Sequence, residues 1–293
     1  MPHSLYIFRF AQFDRIAVSL LAACCVMLLV AKPLQAGEQV TLNEAFTSDP
    51  AQNGKWHVFK YTPDDSSGSI KRKSDGYGVA AVKAATTERQ ARIGLISARP
   101  VWSVGQIRKP DTAITLQLTF ADDMTGTGYN QPVTRLTLTG ATAYDPHGGA
   151  TVEAQITLRP SVDYKIRDCL MVKLVARNAA GSNTIVEETF LTAADGQSPI
   201  RCGKGDVFEM TITPTQVIAA SYHDASEDKT TQLCEKPVSH QLDPVKDFPR
   251  GARMAVSHWT NLNDGDETSS AWRRIQAVTS TDEGNPSEPA TQE

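Results

Sequence analysis

The chain has 293 residues, 40% hydrophobic and 21% charged, with 19 Gly, 16 Pro and a net charge of −4. This composition excludes a collagen-like chain, a coiled coil and a wholly disordered chain, and the length allows one large domain or two small ones. No basic patch interleaves with aromatics, so the cationic face that a nucleic-acid partner needs is missing.

Residues 1–36 read as a secretory signal peptide. Arg9 and Arg15 precede Ile16–Ala31, sixteen residues without a charge, and Ala36 stands before Gly37. The apolar run is shorter than the roughly 20 residues of a spanning helix, so cleavage is expected. The mature chain is then secreted or periplasmic, with no membrane span. An uncleaved anchor and a lipid-modified start at Leu21-Ala22-Ala23-Cys24 are the competing readings. Without residues 1–36 the net charge becomes −6, because Arg9, Arg15 and Lys32 leave with Asp14.

Beyond residue 36 the pattern is one of strands. Candidates in chain order are Trp56–Tyr61, Val79–Lys83, Arg92–Ala98, Ile114–Phe120, Val133–Thr139, Thr151–Leu158, Leu170–Arg177, Asn183–Thr192, Val207–Thr213, Gln216–Tyr222 and Arg253–Trp259. In Ile114–Phe120 the residues Ile114, Leu116, Leu118 and Phe120 fall on one face, with Thr115, Gln117 and Thr119 on the other. Thr151–Leu158 and Val207–Thr213 alternate in the same way, as half-buried antiparallel strands must. Lys71-Arg72-Lys73, close to Asp64, Asp65 and Asp75, reads as a solvated strand edge. Ala179-Ala180-Gly181-Ser182 and Pro214-Thr215 read as hairpin turns, and Gly126-Thr127-Gly128 and Asp145–Gly149 as loops. A turn near Ala84–Gln90 is the one helical hint.

Many short strands without intervening helices predict an all-β antiparallel β-sandwich or jelly roll. One domain over 37–268 is expected, with two smaller sandwiches as the alternative. Residues 269–293 form a C-terminal extension. Ser269–Val278 is a last strand or a loosely docked segment, and Ser280–Glu293, with no large apolar residue, is disordered.

Export leaves Cys169, Cys202 and Cys234 and permits a disulfide. Cys202 and Cys234 flank the hairpin of Val207–Thr213 and Gln216–Tyr222, so a bridge there would contribute roughly 3–4 kcal/mol. Cys169–Cys202 is the alternative, and Cys169 otherwise serves as a small buried hydrophobe.

Three segments carry a resemblance. Gly149–Leu158 (GATVEAQITL) resembles a strand of the family 16 glycoside hydrolases, Gly205–Pro214 (GDVFEMTITP) is similar to a later one, and Pro249–Trp259 (PRGARMAVSHW) looks like the closing strand. Together they resemble the concanavalin A-like lectin/glucanase superfamily, which implies a sandwich of that type. The E-x-D-x-x-E signature of those hydrolases is absent. Glu187-Glu188, the nearest candidate, points its two side chains to opposite faces. Gln155-Ile156-Thr157 and Met254–Trp259 also resemble strands of alginate-lyase-like relatives. That likeness implies His258 as a base and Arg135, Arg159 or Arg253 as cations for an acidic polymer. The R-S-E-L segment of those relatives has no match.

Glu153, Gln155, Thr157 and Arg159 share one face of a strand, as do Arg253, Ala255, Ser257 and Trp259. Such a polar and aromatic face binds a sugar chain if it lines a groove, and is otherwise solvated surface. Trp56 reads as core, Trp259 as exposed, and Trp102 as either. The histidines lack metal-ligand spacing, and no P-loop or nucleophile elbow is present. No metal or cofactor is expected. The oxygen-rich run Asn261–Glu267 departs from the EF-hand register, so a polar turn outranks calcium there. The expected function is an exported carbohydrate-handling sandwich that binds polysaccharide or oligosaccharide through Glu153, Gln155, Arg253, Ser257 and Trp259. The alternatives are a glycoside hydrolase or polysaccharide lyase with a divergent site, using Glu187, Glu209 or His258, and a structural envelope protein with no ligand.

Overall fold

A computed structural model describes residues 37–61, 66–83, 91–126, 132–141, 149–159, 169–191, 202–260 and 267–281. The expected signal peptide at 1–36, the expected turn at 84–90, the oxygen-rich run at 261–266, most of the two expected loops and the residues from 282 lie outside the described residues.

In chain order the elements are β1 (Glu38–Glu44), β2 (Trp56–Tyr61), β3 (Ser67–Lys73), β4 (Tyr77–Lys83), β5 (Ala91–Ser97), α1 (Val104–Ile107), β6 (Thr112–Gly126), β7 (Pro132–Thr139), β8 (Thr151–Arg159), β9 (Cys169–Arg177), β10 (Asn183–Leu191), β11 (Val207–Ile212), β12 (Gln216–Asp224), β13 (Lys229–Gln232), β14 (Val238–Ser239), β15 (Arg253–Thr260) and β16 (Glu267–Thr281). A nine-stranded sheet runs β13-β12-β11-β6-β16-β4-β3, with β1 added beside β16 and β14 beside β12. A seven-stranded sheet runs β10-β9-β8-β7-β15-β5-β2. Every paired strand is antiparallel. The protein is an all-β antiparallel sandwich.

The alternation explains the layering. Leu116, Leu118 and Phe120 of β6 and Phe208, Met210 and Ile212 of β11 face inward from the large sheet. Leu136 and Leu138 of β7, Val152, Ala154 and Ile156 of β8, and Met254 and Val256 of β15 face them from the other, all in one buried cluster. Each fully buried large side chain contributes about 1.5–3 kcal/mol. Trp56 is core: its Nε1 donates to Glu44 Oε2 at 3.0 Å, and Phe46 N donates to the other oxygen at 2.6 Å. Trp102 is also core. Lys71-Arg72-Lys73 is exposed on β3, an edge of the large sheet. The turns Ala179–Ser182 and Pro214-Thr215 connect β9 to β10 and β11 to β12.

The structure departs from the sequence reading in three places. First, β16 runs across residue 268, where the sandwich was expected to end, and lies within the large sheet, paired with β6 along its length, with β4 over Glu267–Trp272 and with β1 over Ile275–Ser280. Register shifts between Ser269 and Ala271, Ala271 and Trp272, and Trp272 and Arg274 break its alternation. Its buried positions also include Thr268, Ser270 and Thr279, which do not look like core in sequence. Second, a four-residue helix, α1, carries a capping box in which Gln106 N donates to Ser103 Oγ and Ser103 N donates to Gln106 Oε1.

Third, the expected disulfide is not made: Cys202 and Cys234 are both buried free thiols. Cys202 O accepts from Met124 N on β6 at 2.8 Å, whereas Cys234 Sγ donates to Lys236 O at 2.8 Å. Asp206 holds the base of the β11–β12 hairpin instead. Its carboxylate accepts from Gly203 N at 2.7 Å, Ala225 N at 2.9 Å and the Tyr222 hydroxyl. Burial pushes the Cys202 thiol well up, against a hydrogen bond with Tyr222, so it stays protonated.

Candidate functional site

The seven-stranded sheet has two faces, and the outward one is polar. Its strands align the outward side chains in rows. One row runs Lys173, Gln155, Arg135, Ser257, Gly94 and Phe59 across β9, β8, β7, β15, β5 and β2. The row on one side carries Val175, Glu153, Thr137, Ala255, Ile96 and His57. The row on the other carries Met171, Thr157, Val133, Trp259, Arg92 and Tyr61.

Four of the five expected ligand-binding residues meet here. Gln155 Nε2 donates to Glu153 Oε1 at 2.6 Å. Arg135 Nη1 lies 3.5 Å from the same oxygen. The Arg135 guanidinium also sits over the Trp259 ring, 3.8 Å from its centroid. Arg92 Nε donates to Ser257 Oγ at 3.1 Å and lies 5.3 Å from the Phe59 centroid. A contiguous chain therefore runs Gln155–Glu153–Arg135–Trp259, with Arg92, Ser257 and Phe59 beside it.

Arg92, Arg135, Glu153 and Ser257 are 5%, 6%, 4% and 1% exposed, so these charges lie in a low dielectric. Burial pushes Arg92 down to about 9, with the like charges of Arg135 and Arg177 adding to it and Glu153 opposing. Arg135 is lowered by burial in the same way, and Glu153 holds it up. Both guanidinium groups keep their protons at neutral pH. Gln155, Lys173, Arg177 and Trp259 remain half-exposed around the buried pair.

The fifth expected residue, Arg253, shares this face but stands four residues from Ser257, about 13 Å along the strand. Its Nη1 donates to Ser97 O at 2.7 Å. Arg159 lies outside the described side chains.

The three catalytic candidates lie elsewhere. His258 points between the sheets and is fully buried. Its Nε2 is 2.9 Å from Thr268 Oγ1 of β16 and its Nδ1 is 3.5 Å from Thr134 Oγ1 of β7. A base sealed there cannot reach a substrate. Glu209 belongs to the large sheet, on the far side of the core, where its Oε2 accepts from Gln117 Nε2 at 3.2 Å. Glu187 follows a bulge in β10 and registers with the core residue Leu174. Its charge acts on Cys234, away from Glu153.

Arg92, Arg177, Phe59 and Thr137 join the site without having been singled out, and Arg135 takes the centre. The alternation of Arg92 against Ile93 and Leu95, and of Arg135 against Leu136 and Leu138, was the available signal. Gly94 makes room for Phe59: a Cβ there would lie 2.4 Å from the Phe59 ring and 2.6 Å from Val256 O. Gly94→Ala is expected to destabilise the chain by about 1–3 kcal/mol through overpacking and to displace Phe59 from Arg92. Urea unfolding and a crystal structure of the variant check both effects.

Among the described residues no three His, Cys, Asp or Glu gather as metal ligands, and no helix is long and apolar enough to cross a membrane.

No protein-family model matches the chain, and no curated protein matches it. Among solved structures, it is similar to the CBM2 module of the Lactobacillus casei BL23 phage J-1 evolved Dit. That likeness has 7% identity, covers 84% of this chain and 97% of that one, and has a TM-score of 0.49. For the winged bean acidic lectin in complex with methyl-α-D-galactose the values are 10%, 83%, 98% and 0.46. For the κ-carrageenase of Pseudoalteromonas carrageenovora in complex with an oligotetrasaccharide of κ-carrageenan they are 10%, 85%, 97% and 0.45. The constellation around Arg135 is read from this chain alone.

Proposed function

We propose that this chain is an exported carbohydrate-binding sandwich whose ligand lies on the outward face of the seven-stranded sheet. One observation carries the reading: the contiguous chain Gln155–Glu153–Arg135–Trp259, flanked by Arg92, Ser257 and Phe59. It presents donors, acceptors and aromatic rings on one rigid patch. Saccharides need this combination, since their hydroxyl groups both donate and accept while their ring C–H faces stack on aromatics. Export rests on the basic start and the Ile16–Ala31 run.

Binding is favoured over cleavage by what stands on the face. Among the described side chains of the rows around Arg135, Glu153 is the one carboxylate, and it faces Arg135 and Gln155. A retaining glycosidase needs two carboxyl groups about 5 Å apart. The test is a glycan array probed with the chain and with Trp259→Ala. Signal on a saccharide set that weakens about ten-fold or more in the variant is expected, as for a buried aromatic anchor. An array without signal overturns the proposal.

A further inference from the structure

Tyr61 stands at the margin of the site and takes no part in the contacts described so far. It is 62% exposed, the most exposed large hydrophobic side chain among the described residues. Its strand, β2, pairs with β5 and sets it opposite Arg92. Arg92 in turn lies opposite Trp259 of β15. Tyr61, Arg92 and Trp259 therefore form one row, and their side chains leave the sheet on the same face. Isolated exposed aromatics are ordinary on protein surfaces. This one continues a row that already ends in the half-exposed Trp259.

The row is high at its ends and low in the middle. Arg92 is 5% exposed, its Nε donates to Ser257 Oγ at 3.1 Å, and its guanidinium lies 5.3 Å from the Phe59 centroid. Those contacts draw its head group out of the row, because Ser257 and Phe59 belong to the adjacent one. Phe59 is itself buried. At the other end the Arg135 guanidinium backs the Trp259 ring, 3.8 Å from its centroid. Two aromatic side chains thus stand on either side of a sunken floor, two strand spacings or about 9–10 Å apart. Both are carried by hydrogen-bonded strands, so the spacing is set before a ligand arrives.

That spacing constrains the saccharide. The C–H faces of pyranose rings stack on aromatic side chains. An extended disaccharide unit covers a similar length, so if one aromatic takes a ring, the other takes the ring two units further on. Both aromatics stand on the same side of the saccharide, so those two rings must turn the same face to the sheet. Pyranoses joined by equatorial bonds at both ends, as in β-1,4-linked glucan, mannan or xylan, meet this condition. Each ring is turned over relative to the last, and every second ring presents the same face. An α-1,4-linked glucan coils and does not hold two such rings in line.

We infer that Tyr61 is a second stacking residue of the site, and that the ligand is a straight β-1,4-linked saccharide lying across the strands from Trp259 to Tyr61. This deepens the binding reading above and rests on it.

Calorimetric titration of the full chain with β-1,4-linked gluco-, manno- and xylo-oligosaccharides of two and six units, and with maltohexaose, tests the inference. In at least one β-1,4-linked series the six-unit ligand is expected to bind about ten-fold or more tighter than the two-unit ligand, which reaches one aromatic only. Tyr61→Ala is expected to weaken the six-unit ligand about five-fold and to leave the two-unit ligand unchanged, whereas Trp259→Ala weakens both. Tyr61→Phe keeps the ring face and is expected to keep the affinity. The melting temperature of Tyr61→Ala is expected to match the parent, as for an exposed side chain, which separates a stacking role from a structural one. Equal affinity for the two lengths, an unchanged six-unit affinity in Tyr61→Ala, or maltohexaose binding as tightly as the β-1,4-linked ligands overturns the proposal while leaving the binding reading in place. A glycan array with signal on other saccharides alone does the same. Binding of none of these ligands, with no signal on the glycan array, overturns both.

Discussion

Arg135→Met is expected to lower stability by about 3–5 kcal/mol and to abolish saccharide binding. The size follows from what the substitution leaves behind. Glu153 is 4% exposed and its oxygen lies 3.5 Å from Arg135 Nη1. Removing one partner of a buried ion pair strands the other charge in a low dielectric, which costs more than the pair contributes. Gln155 still donates to Glu153 but cannot supply a positive charge. The double variant Arg135→Met/Glu153→Leu is therefore expected to recover most of the lost stability, because no charge remains uncompensated. It is not expected to recover binding, since the guanidinium and the surface over Trp259 are gone. Urea unfolding gives the first quantity and calorimetric titration the second. A single variant as stable as the parent would mean that the pair is not shielded from water.

The second large effect is on acid stability. His258 is pushed down from 6.5 to about 3 by burial, against a hydrogen bond with Thr268. Its folded form is neutral, while the unfolded chain takes up a proton near 6.5. The stability contributed by the neutral imidazole is thus fully present above that value and is lost as pH falls towards about 3. Each pH unit in this window removes about 1.4 kcal/mol. By about pH 4 the loss attributable to this residue reaches about 3 kcal/mol. His258→Gln does not titrate and can still bond Thr268, so its stability is expected to fall less steeply with acidification. His240, also pushed down by burial, is present in both chains and cancels in the comparison. Unfolding free energies of the two chains across the window give the difference in slope. Parallel slopes would show that His258 is open to solvent.

His258 and Trp259 mark how far the sequence could be read. The alternation in Arg253–Trp259 puts Met254, Val256 and His258 on one face and Arg253, Ala255, Ser257 and Trp259 on the other. The sequence could not say that the first face looks between the sheets, because β15 lies mid-sheet and is buried on both sides. Strands of this kind read as apolar throughout. The same reason hid Arg92, which sits at 5% exposure in a fully buried strand.

The strands missed or left open have other causes. β13 and β14 are short, and β1 carries a register shift between Val40 and Leu42. β3 showed only as the polar edge at Lys71–Lys73, and β16, read as a last strand or a loosely docked segment, has a broken alternation. The disulfide failed because proximity in a hairpin was inferred from chain order. Asp206 takes that place with three hydrogen bonds, and the two thiols find other neighbours.

The sequence by itself determined what is local. Successive side chains of an extended backbone point to opposite faces, so the period of two revealed the strands, the all-β class and the shared face of Glu153 and Gln155. The tertiary structure alone decided which strands became neighbours. Residues 92, 135, 153, 155, 257 and 259 are distributed over β5, β7, β8 and β15, and only the pairing of those strands brings them within hydrogen-bonding and stacking distance. That pairing is set by the burial of the opposite face of each strand against the large sheet, a property of the whole core that no short stretch of sequence contains.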